Sequence, residues 1–162
     1  MNKVIIMVAA AAVFVTVSLP AQAQRFTRDT TSADNPVVTD NVTKLMWQGC
    51  AAGLSGEACG TGTATKYTWK DALAYCEGLD WAGRNDWRLP NKTELMSIAD
   101  DRESDQAIDS TAFPATPSDW FWSSSSYANF TSIAWYVYFD NGSVSASGKD
   151  GTSNARCVCS SP

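Results

Sequence analysis

Five cysteines, at Cys50, Cys59, Cys76, Cys157 and Cys159, and a total of 17 aspartates and glutamates are the side chains here with chemistry to offer; histidine is absent altogether. That absence removes Ser-His-Asp and Cys-His catalysis, together with histidine-bearing zinc and copper sites. Carboxylate pairs, thiol chemistry and oxygen-ligated cations remain. A carboxylate glycosidase needs two carboxyl groups about 5 to 9 Å apart across a cleft. Asp86, Glu94, Asp109 and Asp140 are available, but no spacing singles out a pair. A thiol oxidoreductase would need Cys157 and Cys159 both reduced. Asp100, Asp101, Arg102, Glu103 and Asp105 form an acidic run able to collect a cation, although a solvated helix end accounts for it more cheaply.

The redox state of those cysteines depends on compartment. Residues 1–23 read as a secretory leader, with Lys3 at the positive end, an apolar run over 4–19, and Ala21-Gln22-Ala23 as a small-x-small cleavage pattern. The run is too short and wrongly flanked for a lasting membrane span. The expected mature chain is residues 24–162, a single domain, secreted or periplasmic in a bacterium. In that oxidising setting four cysteines should pair and one be left over. Cys50 and Cys59 bracket a Gly- and Ala-rich loop, and a local bridge is the simplest choice. Cys76, on a helix, and Cys157, on the last strand, would tie the ends of the domain together, worth about 4 kcal/mol on the entropic model. Cys159 is then the odd one, free or intermolecular. Cys157 and Cys159 point to the same face of an extended strand, so the pattern leaves open which of them bonds Cys76.

The elements that must position these groups are organised around residues 83–95 (GRNDWRLPNKTEL). Trp87 and Leu89 alternate as a half-buried extended segment, which Pro90 ends. Asn91 and Glu94 form a capping box for a helix whose apolar stripe is Leu95, Ile98 and Ala99. Arg88 points away from Trp87, to solvent or a carboxylate. An earlier helix starts at Thr68 with Asp71 completing its box; Trp69, Ala72, Leu73, Cys76 and Leu79 recur at helical steps, and Gly83 closes the region. Trp81, at its exit, is read as core. Residues 25–29 read as a strand, and 37–38 and 42–47 as a strand pair with Asp40-Asn41 at the bend. Residues 49–65 read as loop, and 108–117 as an ordered crossing loop. The C-terminal third reads as a β-meander. In it Asp140-Asn141-Gly142-Ser143 suits a type I′ hairpin turn, 149–153 a second turn, and 154–159 a closing strand.

The formal net charge is −5, one unit lower without Lys3, and there is no basic block. This argues against nucleic acid and against attraction to anionic membranes. The chain is rich in aromatics, with 7 Trp, 5 Tyr and 6 Phe, which serve cores and sugar-facing surfaces alike. A ligand face would lie on loops and the exposed side of the meander. Trp120, Tyr127, Tyr136 and Tyr138 are candidate stacking surfaces there, and Asp140, Asn141, Lys149 and Asp150 candidate polar contacts.

Seven segments in order carry a family resemblance: VTDNVTKLMWQ (38–48), WKDALAYC (69–76), DWRLPN (86–91), IDSTAFP (108–114), WSSS (122–125), AWYV (134–137) and RCV (156–158). Together they resemble the Lcl C-terminal domain family (DUF1566), named for the end domain of the Legionella collagen-like adhesin, over nearly all of residues 24–162. The resemblance implies an α+β, C-type-lectin-like fold, two helices packed on a twisted antiparallel sheet and closed by a Cys76–Cys157 disulfide. It further implies a binding or adhesion module with no cofactor, although lectin-like folds often hold Ca²⁺ through loop carboxylates and amides. The adhesin's domain is associated with trimers and with sulfated glycosaminoglycans; for this acidic chain a neutral glycan or a cell-surface protein fits the charge better, and a homo-oligomer is compatible. The fold is also similar to that of formylglycine-generating enzymes, whose paired cysteines have a different spacing from Cys157 and Cys159. The leading expectation is a secreted, non-catalytic binding module. Its alternatives are a structural subunit linked through Cys159 or an edge strand, and an enzyme.

Overall fold

The computed structural model describes residues 24–100 and 106–161. The leader expected at 1–23 and the acidic positions 101–105 lie outside the described residues. In chain order the elements are β1 (Phe26–Asp29), β2 (Val37–Asp40), β3 (Leu45–Gln48), β4 (Leu54–Ser55), β5 (Thr61–Gly62), β6 (Lys66–Thr68), α1 (Trp69–Glu77), α2 (Lys92–Ser97), β7 (Trp120–Tyr127), β8 (Phe130–Tyr138), β9 (Val144–Gly148), β10 (Thr152–Asn154) and β11 (Val158–Ser160). They form three sheets, ordered β1-β2-β3-β11, β6-β10-β7-β8-β9 and β4-β5.

This overturns the expected α+β, C-type-lectin-like fold of two helices on one antiparallel sheet. The described residues are mostly β, 38% strand against 11% helix. α1 is nine residues and α2 six, and β10 pairs with β7 in parallel. The helices are short for local reasons. α1 starts where Thr68 Oγ1 accepts from the Asp71 amide, but it stops at Gly78, whose N–H bonds the Ala74 and Cys76 carbonyls. Gly83, at φ +71°, serves instead the tight turn in which Trp81 and Arg84 exchange backbone bonds. α2 has its full capping box, with Glu94 N donating to Asn91 Oδ1 at 2.9 Å and Asn91 N to Glu94 Oε2 at 2.8 Å. It runs less than two turns before Ile98 caps it.

Three further expectations are corrected by turn chemistry. The Asp40 carboxylate captures the amides of Val42 and Thr43, so β3 begins only at Leu45 and Val42 is 72% exposed. Asn141 lacks the positive φ of a type I′ turn; Gly142, at +75°, carries the only left-handed step of that loop. The 49–65 loop holds the short β4–β5 ladder.

Both faces of the five-stranded sheet are buried. Trp122 and Ala134 join Ala72 and Cys76 of α1 in one apolar cluster, while Phe121 and Val137 join Leu95 of α2 in the other. Residues 87–91 fasten this sheet to the first one. Arg88 exchanges two backbone bonds with Val158 of β11, and the Pro90 carbonyl accepts from Ser124 of β7 at 2.8 Å. Arg88 itself turns outward and donates two hydrogen bonds to the Glu94 carboxylate, one to each oxygen at 2.7 Å.

The expected closing strand 154–159 is split between sheets, and Ala155, Arg156 and Cys157 cross between them in full burial. Arg156 donates to the Gln48 and Gly49 carbonyls at 3.0 and 3.1 Å and to Thr116 Oγ1 at 2.7 Å, and its guanidinium lies 4.7 Å from the Phe113 ring centre. Burial, and secondarily the Arg28 charge, push its pKa down to about 9, so it stays cationic at neutral pH. Arg156→Lys is expected to destabilise the oxidised protein by about 2–4 kcal/mol, because an ammonium cannot serve three acceptors in a planar fork. A lowered urea midpoint is the readout.

Asp40 generates a pH dependence. Burial would raise its carboxyl, but the Arg25 guanidinium at 3.1 Å and the Val42 and Thr43 amides outweigh it and hold the pKa below the ordinary value. A carboxyl lower in the folded than in the unfolded chain stabilises fully above the unfolded value, about 3.9, and loses that contribution as pH falls through the folded one. The urea midpoint should therefore be flat above about pH 5 and fall below about pH 4. Asp40→Asn should cost about 1.5–3 kcal/mol at neutral pH and make the acid limb shallower.

Candidate functional site

β8 alternates between the two faces of its sheet. Ile133, Trp135 and Val137 share the α2 face, where α2 packs on β7 and β8. Val137 is buried, but toward the free end of the hairpin the same face opens into a groove of about 440 Å³, lined by Tyr127, Phe130, Ile133, Trp135, Val144, Ser145 and Ala146. The lining is uncharged. Tyr127 lies 5.1 Å from the Trp135 ring and 6.3 Å from Phe130, and Phe130 is 61% exposed. Ala146 is paired opposite Trp135, too small to cover the indole. The Lys92 ammonium stands 4.3 Å from the centre of the Trp135 ring. An irregularity in the β7–β8 pairing shapes this end: the Ser123 hydroxyl donates to the Trp135 carbonyl, and Ser125 Oγ accepts from the Lys92 amide.

The residues expected to form a ligand face are divided among separate places. Trp120, Tyr136 and Tyr138 do come together, on the opposite face of the sheet. Trp120 lies 4.0 Å from Tyr136 and 4.7 Å from Tyr138, and Trp122 lies 5.4 Å from Tyr136, all stacked within 28°. The rings interleave as Trp122, Tyr136, Trp120, Tyr138, so Trp120 has a neighbour on each side and presents edges rather than a free face to solvent. Tyr127 belongs to the groove. Asp140 and Asn141 sit exposed at one end of β9, where Asn141 Oδ1 accepts from Ser143 N. Lys149 and Asp150 lie at the other end, and the Lys149 ammonium is held 3.8 Å from the Trp69 ring centre and 2.7 Å from Ser126 Oγ.

Phe130, Ile133, Trp135, Val144 and Ala146 line the groove and Lys92 stands beside it, and sequence reasoning singled out none of them. Alternation placed Trp135 with Val137 and Phe139, which are buried, and so disguised it as core. The available signal was the composition of Val144–Gly148, VSASG, with neither charge nor bulk to cover the neighbouring strand.

Residues 36–159 match the family model described as the Lcl C-terminal domain. The chain belongs to this family. No curated protein matches it. Membership in the Lcl C-terminal domain family is consistent with an extracellular, adhesion-related module, and so are the two disulfides, Cys50–Cys59 and Cys76–Cys157. Among the described residues no helix is long and apolar enough to cross a membrane.

The other reactive groups of this Lcl C-terminal domain have structural occupations. Asp86 is bonded to Arg84 at 2.9 and 2.6 Å, and Glu94 both caps α2 and holds Arg88. Asp109 Oδ1 accepts from the Thr111 and Ala112 amides, while Asp140 is exposed at a hairpin tip. Among the described residues no three cysteines or carboxylates converge to hold a metal ion. Cys159 is unbonded and 1% exposed. Burial pushes its pKa up to about 11, with Arg84 and Arg88 opposing and Asp86 assisting. A thiol so protonated and enclosed is a poor nucleophile. A disulfide-exchanging aromatic reagent is therefore expected to leave the native protein unlabelled over minutes and to titrate one thiol in denaturant.

Proposed function

We propose that this chain is a secreted, non-catalytic binding or adhesion module that takes a glycan or a cell-surface partner in the groove between Tyr127, Phe130, Trp135 and Ala146. The observation that carries this reading is an uncharged, aromatic-walled concavity of about 440 Å³ on a disulfide-closed frame. It is within the size of ordinary ligand sites, which combine apolar walls with few polar groups. The groove is built on paired strands, so little ordering entropy opposes binding. Phe130, 61% exposed, offers open aromatic surface at the mouth of the groove beside the partly buried Trp135.

A non-catalytic role is supported by what the candidate acids do: Asp86, Glu94 and Asp109 are spent on an ion pair, a helix cap and a turn. A thiol oxidoreductase at Cys157 and Cys159 finds no support, since Cys157 is bonded to Cys76. A structural subunit cross-linked through Cys159 is disfavoured by the burial of that thiol.

The test is a glycan array, with and without Ca²⁺, alongside adhesion of glycan-bearing cells to the immobilised protein. Trp135→Ala is expected to weaken binding by at least about tenfold, as loss of a central aromatic anchor does. Tyr138→Ala, on the stacked face, should change it by less than about threefold. Retained adhesion in the Trp135→Ala protein would remove the groove from the reading.

A further inference from the structure

Resting on the groove as the binding site, we infer that its ligand is an extended peptide of a partner protein, added as a strand to the β9 edge with apolar side chains at alternate positions and an acidic residue near Lys92. β9 ends the order β6-β10-β7-β8-β9, and it pairs with β8 in five consecutive rungs without irregularity. Natural sheet edges are usually blunted by lysine, proline, bulges or shortness. The opposite edge follows that rule: β6 has three residues, runs straight into α1, and carries Lys66 ion-paired to Asp119 at 2.6 Å. β9, as Val-Ser-Ala-Ser-Gly, has none of these protections.

The register says which backbone groups are on offer. Tyr138 N donates to Ser143 O and Lys149 N to Ser132 O. Antiparallel pairs alternate between bonded and non-bonded, so Ser145 and Ser147 also bond inward to β8. The N–H and C=O of Val144 and Ala146 and the N–H of Gly148 then aim away from the sheet; the Gly148 carbonyl is taken by Gly151 N at 3.0 Å. Side chains directly opposite one another in a ladder share a face. Residues opposite Val144 and Ala146 would therefore project over the groove, onto the Trp135 indole that Ala146 leaves open. The residue between them would face Ser145 and Ser147 and be polar.

Charge selects the partner. The chain is acidic, at −5, yet the groove lining carries no carboxylate and the charge standing against it is the Lys92 ammonium. A second copy of this chain would bring the same uncharged Val144–Gly148 edge, with Asp140 and Asp150 only beyond its ends. A five-residue edge also buries far less than the roughly 1,200 Å² of a stable protein pair, whereas peptides bind sheet edges through backbone bonds and a few alternate side chains.

The probe is a fluorescein-labelled, end-blocked peptide Thr-Val-Thr-Val-Glu, with a version N-methylated at both valines, read by fluorescence anisotropy on the oxidised chain. The unmodified peptide is expected to bind, and N-methylation to weaken it at least about tenfold, since it deletes outward-facing bonds. Ala146→Pro removes an N–H that the sheet itself does not use, a tolerated edge substitution, and should abolish binding with the thermal transition kept. Lys92→Gln should weaken the glutamate peptide by about threefold and leave a glutamine version unchanged. Binding that ignores N-methylation overturns strand addition, as does failure of the peptide while a glycan binds in a Trp135-dependent way; the latter leaves the groove function standing. Concentration-dependent self-association abolished by Ala146→Pro would overturn the inference in favour of a second copy. If neither peptide nor glycan binds, the proposed function falls with it.

Discussion

A buried crossing between two sheets is the constraint on which this molecule depends. At residues 155–157 the chain leaves the five-stranded sheet and enters the four-stranded one, inside the protein and away from water, so polar groups there depend on protein partners, which all but Arg156 Nε among the side-chain atoms find. The Ala155 carbonyl accepts from Ala52, the Cys157 carbonyl from Gln48, and the Cys157 amide reaches the Gln48 side chain. Arg156 meets carbonyls and a hydroxyl rather than a carboxylate. A guanidinium can do this because its donors lie in one plane and it is weakly hydrated for a cation. Its acceptor Gly49 is shared with Arg28, at 3.1 Å, and only glycine fits, since a Cβ there would lie 2.5 Å from the Pro36 carbonyl oxygen.

The crossing makes the two sheets one body, and the Cys76–Cys157 bond adds α1 to it. Residues 87–91 brace the same junction from the other side, bonded to β11 through Arg88 and to β7 through Pro90. Three of the tryptophans around this junction also find backbone acceptors. The indole N–H groups of Trp69, Trp81 and Trp122 go to the carbonyls of Ser123, Pro36 and Tyr67. Tryptophan thus acts as a cross-link between elements as well as a volume filler. What remains outside this frame is the β8–β9 hairpin, and the groove and unprotected edge both lie there.

α1 and α2 sit on opposite faces of the five-stranded sheet, through separate apolar clusters. Two short helices cannot cover both faces along the full length of β8. α2, at six residues, shields Phe121 and Val137 and leaves Trp135 partly exposed. The groove follows from that mismatch between helix length and strand length.

The sequence by itself determined whatever depends on neighbours within a few residues. It specified both helix starts, since Thr68 and Asn91 cap through side chains three positions away, and the strand alternation that separates Trp120 and Trp122 from Phe121. The capping box led correctly to the helix start at Asn91, and the ordered run of motifs led to the family. Only the tertiary structure decided where helices stopped, because Gly78 and Gly83 are alike as letters and differ in what their amides meet. It decided that residues 154–159 divide between sheets, which rests on acceptors for Arg156 more than a hundred positions away at Gln48. It placed Phe130 beside Tyr127 in the groove rather than with Tyr136 and Tyr138, because the β7–β8 irregularity alters the pairing in a way no period-two pattern records. And it opened Trp135, whose exposure depends on the length of a helix elsewhere in the chain and on the smallness of Ala146 beside it.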